Sequence, residues 1–160
     1  MNDKWTVPAD IFDKMVSHSE ESYPEESCGL LFSCDKSAAL EWIPMENIQN
    51  KMHARDPDAY PRDARTAYLF DSMKFEKICK EMDERGLTLK SIYHSHPDHD
   101  SYFSDKDRED AAPPGWGPLF PGAVYLVFSI REQKLADTKA YIWSDEEEVY
   151  VELLVVRGDS

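Results

Sequence analysis

Behind Pro8, apolar side chains at Ile11, Phe12, Met15 and Val16 recur at helical spacing. Proline in the first turn and this period predict an amphipathic helix over residues 8–21. The helix stops before Tyr23–Pro24, because a residue preceding proline resists helical backbone. Ser27–Ser33 is a short, nearly continuous apolar run that reads as a buried strand, and a second strand is expected around Leu40–Met45. Residues 47–70, with their Asn, Asp and charged-proline neighbourhoods, read as a long loop or a weak strand at Arg65–Phe70. Asp71–Arg85 carries Met73, Phe75, Ile78, Cys79 and Met82 on one broad face, with an N-cap candidate before it and Gly86 just beyond, the pattern of a helix. Leu87–His96 returns to strand character and is cut off by Pro97. A short helix opening on a capping signal is expected at Ser104–Ala111. After the loop at Pro113–Pro118, Ala123–Ile130 and Leu135–Trp143 form a hairpin across Arg131–Lys134, and Glu147–Val156 alternates into a last strand. No internal repeat interrupts this order. It predicts an α+β fold, a mixed sheet with helices packed against it.

At 160 residues the chain suits one domain spanning 1–160, and a hydrophobic fraction of 41% is enough for a packed core. The 32 acidic and 18 basic side chains leave a net charge of -14, which opposes binding to nucleic acid or anionic lipid. The same surplus also serves plain solubility. Cys28, Cys34 and Cys79 are odd in number and lack CxxC spacing, against both a disulfide framework and a cysteine zinc site. No apolar run follows the charges at the N-terminus, and no stretch is long enough to span a bilayer. A cytoplasmic setting is the expectation.

The chemistry concentrates in residues 92–107. His94 and His96 lie two apart at the end of a predicted strand, so both imidazoles leave the same face, with Cβ atoms ~7 Å apart. Leaning inward, both reach one zinc at about 2.0–2.1 Å. An isolated HxH pair is ordinarily two surface histidines. Here Pro97 ends the strand, six residues follow, and Ser104-x-x-Asp107 starts a helix that can return a carboxylate as third ligand. Two histidines and one carboxylate leave a fourth position open for water, as a catalytic zinc requires. Ser104 and Asp107 also suit a capping box, with Asp107 at the third helical position. The two roles are compatible: a hydroxyl that accepts a backbone N–H keeps its own proton for an oxyanion. His18 and His53 read as ordinary surface histidines, and Asp98, His99 and Asp100 as entrance or solvent-facing groups. Cys28, inside an apolar run, reads as a small hydrophobe, and the terminal Arg-Gly-Asp as a chance match at a frayed end.

His94-x-His96-Pro97, six residues, then Ser104-x-x-Asp107 resembles the HxHP(x6)SxxD signature of the JAMM (MPN-plus) metallopeptidases, in their compact prokaryotic form. Pro24-Glu25-Glu26-Ser27-Cys28-Gly29-Leu30-Leu31 resembles the P-x-E-x-C-G-x-L segment of the same family, and the order of elements fits along essentially the whole chain. The resemblance implies a mostly antiparallel curved sheet flanked by helices, a sandwich of the JAMM and cytidine-deaminase kind. It implies one Zn2+ per chain on His94, His96 and Asp107, with Glu26, not Glu25, as general acid/base and Ser104 beside the oxyanion. It further implies hydrolysis of an amide or isopeptide bond at the C-terminal Gly-Gly tail of a ubiquitin-like protein, and for compact prokaryotic members a sulfur-carrier protein. Residues 47–70 and 112–122 are the candidate tail-binding loops. Two alternatives stand beside it: a non-catalytic scaffold module of the MPN type, which typically loses ligands that this chain retains, and a metal-dependent amidohydrolase acting on a small substrate.

Overall fold

The computed structural model describes residues 4–34, 36 and 40–159. In chain order the elements are β1 (Lys4–Val7), α1 (Ala9–Ser22), β2 (Cys28–Ser33), β3 (Leu40–Met45), α2 (Gln49–Arg55), α3 (Ser72–Glu84), β4 (Thr88–Pro97), α4 (Asp105–Ala111), β5 (Val124–Arg131), β6 (Lys134–Ser144) and β7 (Val149–Arg157). The strands form one seven-stranded sheet in the order β1-β7-β6-β5-β4-β2-β3. Of its pairings, β1 with β7 and β4 with β5 are parallel and the rest antiparallel, the mixed α+β architecture expected.

Each face of the sheet carries its own core. Ile11, Phe12 and Met15 of α1 pack with Leu31, Tyr93, Leu126 and Phe128 on one side. Leu30, Phe32, Ile92, Val127 and Tyr141 build the other, with Met82 of α3 and Ala111 of α4. Adjacent strand residues thus alternate between two apolar layers, which is why β2 and β5 read as unbroken apolar runs. The β5–β6 hairpin turns at Glu132 and Gln133, both with positive φ, as a two-residue turn between twisted strands requires.

Several elements depart from expectation. β1 was not anticipated: it is four residues long and exists by parallel pairing with the end of β7. Residues 47–70 are not simply a loop, because α2 lies within them, and Arg65–Phe70 is not a strand. There the backbone bonds are taken by side chains and by single contacts. Asn47 Oδ1 accepts from Leu69 N, Asn47 Nδ2 donates to the Ala67 carbonyl, and Ile48 N donates to the Leu69 carbonyl. The Arg-Gly-Asp end is not frayed at its start. Arg157 belongs to β7, and Gly158 N donates to the Val7 carbonyl at 2.7 Å; Ser160 lies outside the described residues.

His18 and His53 are half-buried and bonded, not loose surface groups. His53 Nδ1 lies 2.7 Å from the Tyr60 carbonyl, and so donates to it. His18 Nδ1 lies 2.7 Å from the Tyr93 hydroxyl, which also accepts from Trp42 Nε1 at 2.9 Å. The Tyr93 hydroxyl thus bridges His18 and Trp42, and burial pulls the His18 pKa below its usual value.

Gly29 faces Tyr93 across the β2–β4 pair, and a Cβ on it would come within 2.4 Å of the tyrosine ring atoms and hydroxyl. The hydroxyl is already committed to His18 and Trp42, so the ring has nowhere to go. Gly29→Ala should therefore lower stability by about 1–3 kcal/mol. Urea denaturation checks this: an unchanged midpoint would mean that Tyr93 relaxes freely.

Candidate metal centre

On β4 the side chains alternate, with Tyr93 in the α1-side core and Ile92 in the other. His94 and His96 therefore share the face of Ile92, beneath α3 and α4. β2 runs antiparallel to β4 with Cys28 opposite His94. Continuing that register by two residues brings Glu26 beside His96, on the same face.

A small polar lattice maintains the register where the ladder ends. Ser95 N donates to the Ser27 carbonyl at 3.1 Å, and Ser27 N donates back to Ser95 Oγ at 2.8 Å. Ser27 Oγ lies 2.9 Å from Ser95 Oγ and 2.8 Å from Ser19 Oγ of α1. All three serines are buried, and their hydroxyls satisfy one another.

The fourth side chain arrives on α4. Ser104 caps this helix: its Oγ accepts from Asp107 N at 3.1 Å, while Asp107 Oδ2 accepts from Ser104 N at 3.1 Å. The capping box fixes the carboxylate in the position that faces the histidines. Phe103, just before the cap, stacks on Tyr141 with centroids 5.0 Å apart and anchors the start of the helix to β6.

The result is a tight triangle of donor atoms. His94 Nε2 lies 3.1 Å from His96 Nε2 and 3.1 Å from Asp107 Oδ2, and His96 Nε2 lies 3.2 Å from the same oxygen. Three ligands about 2.0–2.1 Å from a tetrahedral ion stand about 3.3 Å apart, so the triangle fits a zinc-sized cation. Glu26 offers a carboxylate oxygen within 4.8 Å of a ring nitrogen of each imidazole. Glu26, His94, His96 and Asp107 are 6%, 0%, 6% and 7% exposed.

The surroundings prepare these groups for a cation. His96 Nδ1 lies 2.8 Å from the Asp100 carbonyl; donating to it leaves the Nε2 lone pair directed into the triangle. That carbonyl is held in turn, as Arg131 bonds to both the Asp98 carbonyl and the Asp100 carboxylate. Asp98 and Asp100 are thus solvent-facing, as expected, yet their backbone orients a candidate ligand. His94 Nδ1 has no hydrogen-bond partner among the described residues. Its ring is held by stacking on Tyr68, with centroids 4.5 Å apart at 22°.

Burial would raise the pKa of Asp107, but the two imidazoles outweigh it and hold the carboxyl far below its ordinary value. Burial, reinforced by the charge of Asp107, pushes Glu26 well above its ordinary value. Two neighbouring carboxyls are thus driven apart, one a fixed anion and the other able to carry a proton. Burial lifts the Cys28 thiol to about 12, so it is an inert core group.

Glu26, His96 and Asp107 border a cleft of about 140 Å³ that also includes Arg62, Tyr68, Tyr102, Ser104 and Lys106. It opens into a larger apolar groove of about 1020 Å³ between residues 59–70 and 113–120, lined by Tyr60, Phe70, Phe75 and Phe120. Asn47 went unremarked in the sequence reading, yet its amide joins the Glu26 carbonyl at 2.9 Å to the loop carrying Tyr68. Tyr68 was missed as well. No periodic pattern marks either residue; both act through contacts distant along the chain.

A buried triangle of two imidazoles and a carboxylate, with a protonatable acid beside it in a cleft, is the layout of a mononuclear metallohydrolase centre. The chain belongs to the Prok-JAB family, prokaryotic homologs of the JAB domain, whose model matches residues 8–142. It is 29% identical over 136 residues to a CysO-cysteine peptidase of Mycobacterium tuberculosis, covering 84% of this chain and 80% of that protein. It is 30% identical over 129 residues to a desampylase of Haloferax volcanii, covering 78% and 79%. A probable TtuB-protein conjugate cleaving protease of Thermus thermophilus is 28% identical over 105 residues, 66% of this chain and 62% of that protein. Among solved structures, a protein from Desulfitobacterium hafniense superimposes with a TM-score of 0.68 at 19% identity, over 97% of this chain and 93% of that one. A JAB1/MPN domain protein from Archaeoglobus fulgidus does so at 0.51 and 15%, over 95% and 99%, and supports the fold.

Because the Tyr68 ring stacks on His94, whose Nδ1 has no hydrogen-bond partner among the described residues, Tyr68→Ala should weaken zinc binding by about 10–100-fold, the usual effect of removing a support behind a ligand. Competition against a chelator measures this, and an unchanged zinc affinity would show that burial alone holds the imidazole.

Proposed function

We propose that this protein is a zinc-dependent peptidase that hydrolyses the amide bond following the C-terminal Gly-Gly of a ubiquitin-like protein, a sulfur carrier. The supporting observation is the donor triangle of His94, His96 and Asp107 with a Glu26 carboxylate oxygen within 4.8 Å of both imidazoles. The names of the relatives, a CysO-cysteine peptidase, a desampylase and a conjugate-cleaving protease, agree with that chemistry. The scaffold alternative loses ground because the set of donors is intact and converges. A small-molecule substrate would leave the long apolar groove beside the cleft unused.

His94, His96 and Asp107 would hold one zinc per chain. A zinc held there would supply a water whose pKa is lowered to about 7 and a Lewis acid for the scissile carbonyl. Glu26, buried and with its pKa raised, would take a proton from the attacking water and return it to the departing nitrogen. Ser104 Oγ accepts Asp107 N–H, which leaves its own proton for the oxyanion. The loops that line the groove, 59–70 and 113–120, fall within the candidate tail-binding segments, and an extended tail lies there with its apolar side chains in the groove. No described helix is long and apolar enough to cross a membrane, and the three cysteines are unpaired, which suits a reaction in the cytoplasm.

The test is cleavage of a carrier protein extended beyond Gly-Gly, followed by mass spectrometry, with zinc content measured in parallel. Glu26→Gln should keep stoichiometric zinc and lose turnover. Ser104→Ala should lower kcat by about 100-fold or more while zinc content changes little. Wild-type protein that is loaded with zinc and leaves the extended carrier intact would end this reading.

A further inference from the structure

We propose that Arg62 recognises the α-carboxylate of the departing group, so that the enzyme removes a single amino acid from the carrier tail in preference to a lysine-linked protein. This rests on the peptidase reading above and adds the chemistry of the leaving side.

Arg62 borders the cleft together with Glu26, His96 and Asp107. Its guanidinium is fixed at one corner, where Nη1 donates to the Thr66 carbonyl at 3.3 Å. Its backbone is fixed too, as the Arg62 carbonyl accepts from Nε2 of the buried Gln49 at 2.9 Å. Among the described residues Arg62 forms no ion pair, so the rest of its fork of N–H donors is available. The other cation in the cleft, Lys106, is bonded to Asp110 at 2.8 Å.

Glu26 fixes where the leaving group must be. In the hydrolysis the water oxygen bonds to the glycine carbonyl carbon, the C–N bond breaks, and the water's proton passes through Glu26 to the departing nitrogen. If that nitrogen belongs to a free α-amino acid, a carboxylate hangs from the very next carbon. This second anion then sits in a cleft that already holds Glu26, Asp107 and Asp110, in a chain of net charge -14. It is tolerable there only against a cation. Arg62 lines the same cleft as Glu26, and an arginine fork binds a carboxylate in two parallel bonds. An isopeptide leaving group presents an uncharged methylene chain at the same place and gains nothing from Arg62.

The experiment uses zinc-loaded full-length protein and two forms of one carrier, each ending Gly-Gly-Cys, with either a free carboxylate or a carboxamide. The free acid should be cleaved with a kcat/KM about 10–100-fold higher, mostly through KM. Arg62→Gln should bring the ratio near one at unchanged zinc content and thermal midpoint, and Arg62→Lys should restore part of it. Binding of the same two carriers to the Glu26→Gln protein, by calorimetry, should show the same preference and its loss with Arg62→Gln added. Equal rates for acid and amide in the wild type, or a preference that survives Arg62→Gln, would overturn the assignment. Zinc-loaded wild type that cleaves neither carrier would instead strike the peptidase reading itself, leaving the binding comparison to decide on Arg62.

Discussion

The centre depends on the antiparallel alignment of β2 with β4. With Cys28 opposite His94, the strand parity that sends both imidazoles to one face also sends Glu26 there. A slip of one residue would turn the histidines into the α1-side core and bring Tyr93 and Ser95 to the cleft. The buried serines 19, 27 and 95 and the Gly29–Tyr93 contact hold this alignment from behind, on the face opposite the chemistry. The segment around Glu26 therefore both sets register and brings the carboxyl to the candidate centre.

The remaining parts of the centre are braced from separate directions. The capping box of α4 sets Asp107, the Asp100 carbonyl turns His96, and the Tyr68 ring confines His94. Asn47 ties Glu26 to the same loop that brings Tyr68, using both of its amide hydrogens and its oxygen. Each brace spends a polar group on a fixed partner before any ligand arrives. The ligand atoms thus stand near ion-binding spacing with little left to reorganise.

The electrostatic contrast between the two carboxyls comes from placement and not from type. Asp107 meets two imidazoles, which hold its carboxyl far below the ordinary value; Glu26 meets burial and the charge of Asp107, which push its carboxyl well above it. Of the 32 acidic side chains, Glu26, Asp107 and Asp110 line the cleft.

Local pattern determined much of this. Helix α1, helix α3 with its Asp71 cap and Gly86 stop, the β5–β6 hairpin and the Ser104–Asp107 cap were legible because each arises from residues a few positions apart. The spacing of His94, His96, Ser104 and Asp107 carried the candidate centre, since strand parity and one helical turn already define where those atoms go. What local pattern omits is held by partners distant along the chain. β1 exists only against β7, α2 has a polar sequence secured by Asn47 and the 60s loop, and Arg65–Phe70 is extended backbone gripped by side chains instead of a ladder. Tyr68, Asn47 and Arg62 reach the cleft by the same route. A single chain direction has no period for them, because the contacts that give them a role form only when the sheet and its loops close on one another.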